Sequence, residues 1–203
     1  MKIRSIFQKI LCFTVACLLL LALCSCNNTT ANQKIREKYP LITDSLYALD
    51  TISFSFDELA KMSPHILEIS VCEVLPDYTV NFSDPENNIN SELTFHQYKA
   101  KVVNNISETT INTDENNCII ICCNSMFDNS YPILTEGQNA ICSLEAAEGP
   151  HKGKYIFYNK GFYYLDDDTA LSAYESDRGP AVDGCEKKTF IEKIKDIRGN
   201  KAK

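Results

Sequence analysis

The sequence predicts an all-β, mainly antiparallel domain: a small barrel or sandwich of about six strands. Three observations predict it. Short apolar or alternating runs recur between turn-forming clusters, no βαβ alternation separates them, and helical patterning is confined to one short segment before the strands and one after them.

The leading helix follows from Ser55 and Glu58 in SFDELAKMSP, the spacing at which a hydroxyl and a carboxylate satisfy each other's orphan amides. Pro64 ends it. HILEISVCEVL then alternates Ile66, Leu67, Ile69, Val71 and Val74 with Glu68, Ser70 and Glu73, as in a half-buried strand. LTFHQYKAKVV, Leu93 to Val103, alternates in the same way, and PDYTVNFSDPENNINSE between them reads as a long turn-rich connection. CIIICC is a continuous apolar run between TDENN and NSMFDNS, short enough for a buried strand. A turn at Gly137 leads to a strand from Asn139 to Leu144. In KYIFYNKGFYYLDDDTALSAY, two strands flank Asn159-Lys160-Gly161, with Gly161 expected to take the positive φ of a hairpin loop. A turn at Asp166 to Asp168 leads to a last strand near Ala170 to Tyr174. SDRGPAVDGCE has the composition of a linker. Thr189 and Glu192 repeat the capping-box spacing in TFIEKIKDIRG, where Phe190, Ile191, Ile194 and Ile197 share one face and Gly199 stops an amphipathic helix.

The start of the chain is cationic, with Lys2, Arg4 and Lys9 and no acidic residue before Glu37. The apolar run from Ile10 to Leu23 is shorter than the roughly 20 residues a membrane-crossing helix needs. A secretory signal is expected. Its end, Leu23-Cys24-Ser25-Cys26, resembles the bacterial lipobox, with Leu23 and Ser25 matching and Cys26 as the lipid acceptor; Cys24 stands where Ala, Ser or Thr is more usual. Cleavage at an ordinary small-x-small site is the rival, but a site starting from Cys24 would place bulky Leu23 next to the cut. A diacylglyceryl thioether on Cys26 carries two acyl chains, enough for stable anchoring to the cell membrane on its extracytoplasmic face. The expected organisation is a signal over 1–25, the lipidated cysteine and a flexible polar tether over 26–51, the β domain over 52–176, and a linker with the basic helix over 177–203. YPLITDSLYALDTISF is ambiguous between a short helix and an extended lead-in.

The signal holds three of the 20 basic residues and none of the 27 acidic ones, so the processed chain carries 17 against 27, a net of about −10. Nucleic acid is excluded as a partner, because phosphate neutralisation needs a basic surface. The C-terminal segment opposes this balance, with seven basic residues (Lys187, Lys188, Lys193, Lys195, Arg198, Lys201, Lys203) against Glu186, Glu192 and Asp196. Either its cations meet anionic lipid or wall polymer, or its apolar face packs on the domain and its basic back is solvated. Of the ten cysteines, Cys72, Cys118, Cys122, Cys123, Cys142 and Cys185 lie beyond Cys26. Those in VCEV, CIIICC and AICSL sit in apolar strand-like runs, which predicts mostly free, buried thiols; a Cys72–Cys142 bridge stays open.

No CxxC, GxSxG, HExxH or Gly-rich phosphate loop is present, so no catalytic residue, metal or cofactor is expected. The DDD turn and the segment from Asp84 carry oxygen ligands, but Ile89 stands where a calcium loop needs Gly and Phe95 where it needs Glu, so both read as solvated turns. YIFYNKGFYYL has six aromatic rings in eleven residues. On a hairpin alternate rings would face outward, which makes Tyr155, Tyr158, Tyr163 and Tyr164 the candidate binding surface.

Taken in order, SFDELAKMSPHILEISVCEVL, FHQYKAKVVNNI, PILTEGQNAICSLEA and GKYIFYNKGFYYLDDDTAL resemble a group of uncharacterised lipoproteins of Gram-positive bacteria. The likeness covers Phe54 to Tyr174 and departs from the group at VVNNI, which lacks its usual Lys-Gly. It implies a small OB-like β-barrel and carries over no catalytic residue. The expected function is that of a membrane-anchored extracytoplasmic lipoprotein, a binding or structural module that meets wall glycan or another envelope protein. The alternative is an envelope hydrolase with a site around His96.

Overall fold

The computed structural model describes residues 35–42, 54–84, 89–127, 130–174 and 182–199. The signal, Cys26 and the tether up to residue 34 lie outside them. Two compact units divide after Pro40. In the first, residues 35–38 form a helical turn, with the Tyr39 N–H donating to the Ile35 carbonyl at 2.9 Å, where composition predicted only an aperiodic tether.

The second unit opens on helix α1 (Phe56–Met62), which forms as its sequence predicts. The Ser55 N–H donates to Glu58 Oε2 at 2.8 Å and the Glu58 N–H donates to Ser55 Oγ at 3.4 Å. The Ser55 N–H, and then the Ser55 hydroxyl donating to the same oxygen at 2.8 Å, hold the Glu58 carboxyl below its ordinary range. Among the described residues of this unit, the strands are β1 (His65–Asp84), β2 (Ile89–Asn105), β3 (Cys118–Asn124), β4 (Asn139–Ala146), β5 (Tyr155–Asp166), β6 (Thr169–Ser172) and β7 (Cys185–Glu186), followed by helix α2 (Lys187–Gly199). All-β and mainly antiparallel is therefore the observed class, with seven strands rather than six.

The sheet order is β3-β2-β1-β4-β5-β6-β7, and β3 also meets β5 in parallel through Ile121 and Tyr155. Five strands thus follow one another around a ring that a single residue pair joins. β6 and β7 extend the sheet from the far half of β5.

Two expectations are corrected here. The segment after Leu75 is not a turn-rich connection: β1 runs on through Tyr78, Val80 and Phe82 and pairs with β2 out to Asp84 and Ile89. Pro76 does not interrupt it because the pairing shifts between Leu75 and Tyr78, and a bulge is where a strand tolerates a residue without an N–H. Likewise Asn159-Lys160-Gly161 is no hairpin loop. β5 is one strand in which Cys142 faces Phe162 and Leu144 faces Phe157, so Ser143 alone opposes Tyr158, Asn159, Lys160 and Gly161. Asn159 takes the left-handed φ of 51°, and Gly161 does not. A bulge of this size bends the strand.

The bend lets β5 serve two layers. On one side Phe162 and Tyr164 pack edge to face at 5.1 Å inside the ring with Leu67, Ile69, Ile121 and Ala140. On the other, Tyr163 and Leu165 join Ile66, Ile141, Ala60, Phe190 and Ile194 under the two helices. β4 reads as buried from Ala140 to Leu144 because both of its faces are covered.

The segment read as a linker is partly structure: β7 pairs with β6, and Val182 is buried. Helix α2 starts two residues before the predicted cap, so Thr189 lies in its first turn and donates its hydroxyl to Glu186 at 3.5 Å. Phe190 and Ile194 face the sheet as the periodicity requires.

A Cβ at position 161 would stand 2.3 Å from Ser143 Oγ and 2.5 Å from Ser143 Cβ. Gly161→Ala is therefore expected to cost about 1–3 kcal/mol, the range for overpacking a filled site. Ser143→Gly in the same chain should recover part of the loss, and urea denaturation of the single and double variants measures both.

Candidate functional site

The aromatic surface expected from the sequence is not exposed. Tyr155, Tyr163 and Tyr164 are 3%, 4% and 2% exposed, and Tyr158 is half-buried and stacks on Phe54 at 6.4 Å. Alternation would leave half of the rings outside a one-sided sheet, but the far half of β5 is covered on both faces. Tyr155 has a positioning part. Its Oη accepts the Asn112 N–H at 2.8 Å, its ring meets His65 edge to face at 5.5 Å, and His65 Nδ1 bonds Thr109 Oγ1 at 2.8 Å. The loop between β2 and β3 is pinned by these contacts.

The basic helix is likewise tied inward. Lys187 pairs with the buried carboxylate of Glu68 at 3.2 Å, Lys195 with Glu108 at 3.2 Å, and Lys193 lies over the Phe56 ring at 4.8 Å. Arg198 donates to the carbonyls of Ala60 and Ser63 at 2.9 and 3.0 Å, caring for the C-terminal end of α1. Packing on the domain thus engages Lys187, Lys193, Lys195 and Arg198; Lys201 and Lys203 lie outside the described residues.

His96 stands at the base of the β1–β2 arm, with Nδ1 2.9 Å from Asp77 Oδ1, opposite Cys123 in the β2–β3 register. The described cysteines are all free thiols, with Cys72 exposed and Cys142 fully buried, its thiol pushed well up by burial alone. Among the described residues no group of three His, Cys, Asp or Glu side chains is placed to hold a metal, and no helix is long and apolar enough to cross a membrane.

What sequence reading missed is the outer face of β1, β2 and β3. The register places Glu73, Lys99 and Ile120 in one row across the three strands, and Leu75, Gln97 and Cys122 in the next. The loop from β4 to β5 folds over one end of this face. Its 3-10 turn (Gly149–His151) brings His151 onto Phe95 at 4.3 Å and into a short hydrogen bond with the Tyr78 hydroxyl, while Lys154 sits 3.4 Å from the Tyr78 ring centre and donates to Gln97 Oε1 at 2.7 Å. Cys122 lies beneath, where burial raises its thiol.

Beside this roof a groove of about 460 Å³ stays open. Its floor is Leu75, Lys99 and Ile120; its far wall is Asn112, Thr113 and Asp114; Gly153, at the left-handed φ of 90°, forms the near rim. Asp114 is fixed by accepting the N–H groups of Cys118 and Asn116 at 2.8 and 2.9 Å, and it pairs with Lys99 at 3.1 Å. The Cys118 N–H and then Lys99 hold the Asp114 carboxyl below its usual range, and Asp114 in turn raises Lys99. The Cys118 thiol at the rim is pushed up by burial, by Asp114 and by Cys72, so at neutral pH it is protonated and a poor nucleophile.

Compared with known proteins, the chain matches no family model and no curated protein.

Burial, followed by Lys154 for His151 and by Arg198 for His65, lowers the pKa of both imidazoles. The unfolded chain therefore takes up protons that the folded one refuses, so this part of stability is complete above about pH 6.5 and is lost as pH falls below it. The thermal midpoint is expected to drop between pH 7.5 and pH 5, and to drop less in His151→Gln. Calorimetry at the two pH values checks it; an equal drop in the variant contradicts it.

Proposed function

We propose that the chain is a lipid-anchored extracytoplasmic lipoprotein of the cell membrane, whose β domain is a binding or structural module of the envelope with no catalytic role and no cofactor. The observation that carries this reading is Leu23-Cys24-Ser25-Cys26 at the end of a cationic and then apolar segment. The likeness to uncharacterised Gram-positive lipoproteins supports it. So does the five-strand ring, which we read as OB-like because one pair alone joins β3 to β5, leaving it partly open. Anchored through a diacylglyceryl group on Cys26, the domain would meet wall glycan or another envelope protein. The acidic balance argues against nucleic acid.

Metabolic labelling with an alkyne fatty acid tests the anchor. The wild-type protein should take up label and fractionate with membranes, and Cys26→Ser should lose the label and keep the mass of the unprocessed chain. Unlabelled wild-type protein in the culture medium would overturn the reading.

A further inference from the structure

We propose that the groove over β1, β2 and β3 is the ligand site of the domain and that it takes an extended peptide bearing a primary ammonium group. This deepens the reading of the domain as a binding module and does not depend on the anchor.

Volume is the first argument: about 460 Å³ lies within the roughly 300–1,000 Å³ of small-ligand clefts. Charge is the second. The row crossing the strands is anion, cation, apolar, and its cation is already matched, since Lys99 is held by Asp114 at 3.1 Å. Glu73, at the other end of the row, is exposed, and its charge acts on Lys99 only weakly beside that of Asp114. A ligand ammonium placed there completes an alternating array without displacing Lys99, and the net negative chain draws a cation toward it. The wall suits a peptide as well. Asn112 and Thr113 offer donors and acceptors for the amide groups of an extended chain, and Leu75 and Ile120 offer it an apolar floor.

The same lining disfavours the other ligands of an envelope. Among the described residues no aromatic ring borders the groove to stack on a sugar face. An anionic polymer would meet two carboxylates and one neutralised lysine.

The test is titration of the full-length protein, kept in detergent micelles, into the N-acetylated tetrapeptide Ala-Leu-Lys-Ala with a dye on its C-terminus, read by anisotropy. Saturable binding is expected, weakened about tenfold or more when Lys in the peptide is replaced by Glu. Glu73→Gln should weaken it about tenfold, as loss of a charge-assisted contact does, whereas chitotetraose should not compete. Glu73 is exposed, so the variant should melt as the wild type does. No saturable binding, indifference to Glu73→Gln, or displacement by chitotetraose would overturn the proposal. A membrane pull-down that captures the same partner with wild type and Glu73→Gln would remove the groove while leaving the binding-module reading intact.

Discussion

One close approach governs the arrangement of this domain. Gly161 lies against Ser143 with no room for a Cβ, and around that contact four residues of β5 are accommodated opposite one residue of β4. The bend that results sends the first half of β5 toward β3, where Tyr155 pairs with Ile121, and the second half toward β6. A straight strand would serve one layer only.

From the bend follows which surfaces are closed. The far half of β5 has the ring interior on one side and the helices on the other, so its aromatic residues supply core area rather than contact area. Fully burying Phe190 and Ile194 against that sheet is worth about 1.5–3 kcal/mol each. Arg198, reaching the last carbonyls of α1, and Lys187, on the buried Glu68 carboxylate, join α2 to segments more than a hundred residues away. Among the described residues, the helix layer and the ring interior are filled, whereas the outer face of β1, β2 and β3 keeps an open groove that the β4–β5 loop limits at one end.

Local chemistry made part of this legible. Ser55 and Glu58 form the box their spacing announces, and Cys118–Cys123 is the buried strand its continuous apolar run implies. The amphipathic face of α2 also lies where its period places it. Contacts distant in sequence hid the rest. Asn159-Lys160-Gly161 has turn composition, but Gly161 is there for its missing Cβ, not for a positive φ. Pro76 and Asp77 look like a turn, yet a bulge absorbs them, with the Pro76 carbonyl accepting from Gln97 Nε2 at 2.8 Å. The Glu73–Lys99–Ile120 row exists only through the register of three strands, which no single segment encodes.

The claim on which these relations rest is that β5 is one bent strand closing on β3, not a hairpin. Backbone NOEs measured by NMR on the isotope-labelled protein address it directly. Contacts between Ile121 and Tyr155, together with those between Cys142 and Phe162 on the far side of the bulge, are the predicted result. Cross-strand contacts between Tyr158 and Phe162, with none linking Ile121 to Tyr155, would contradict the account.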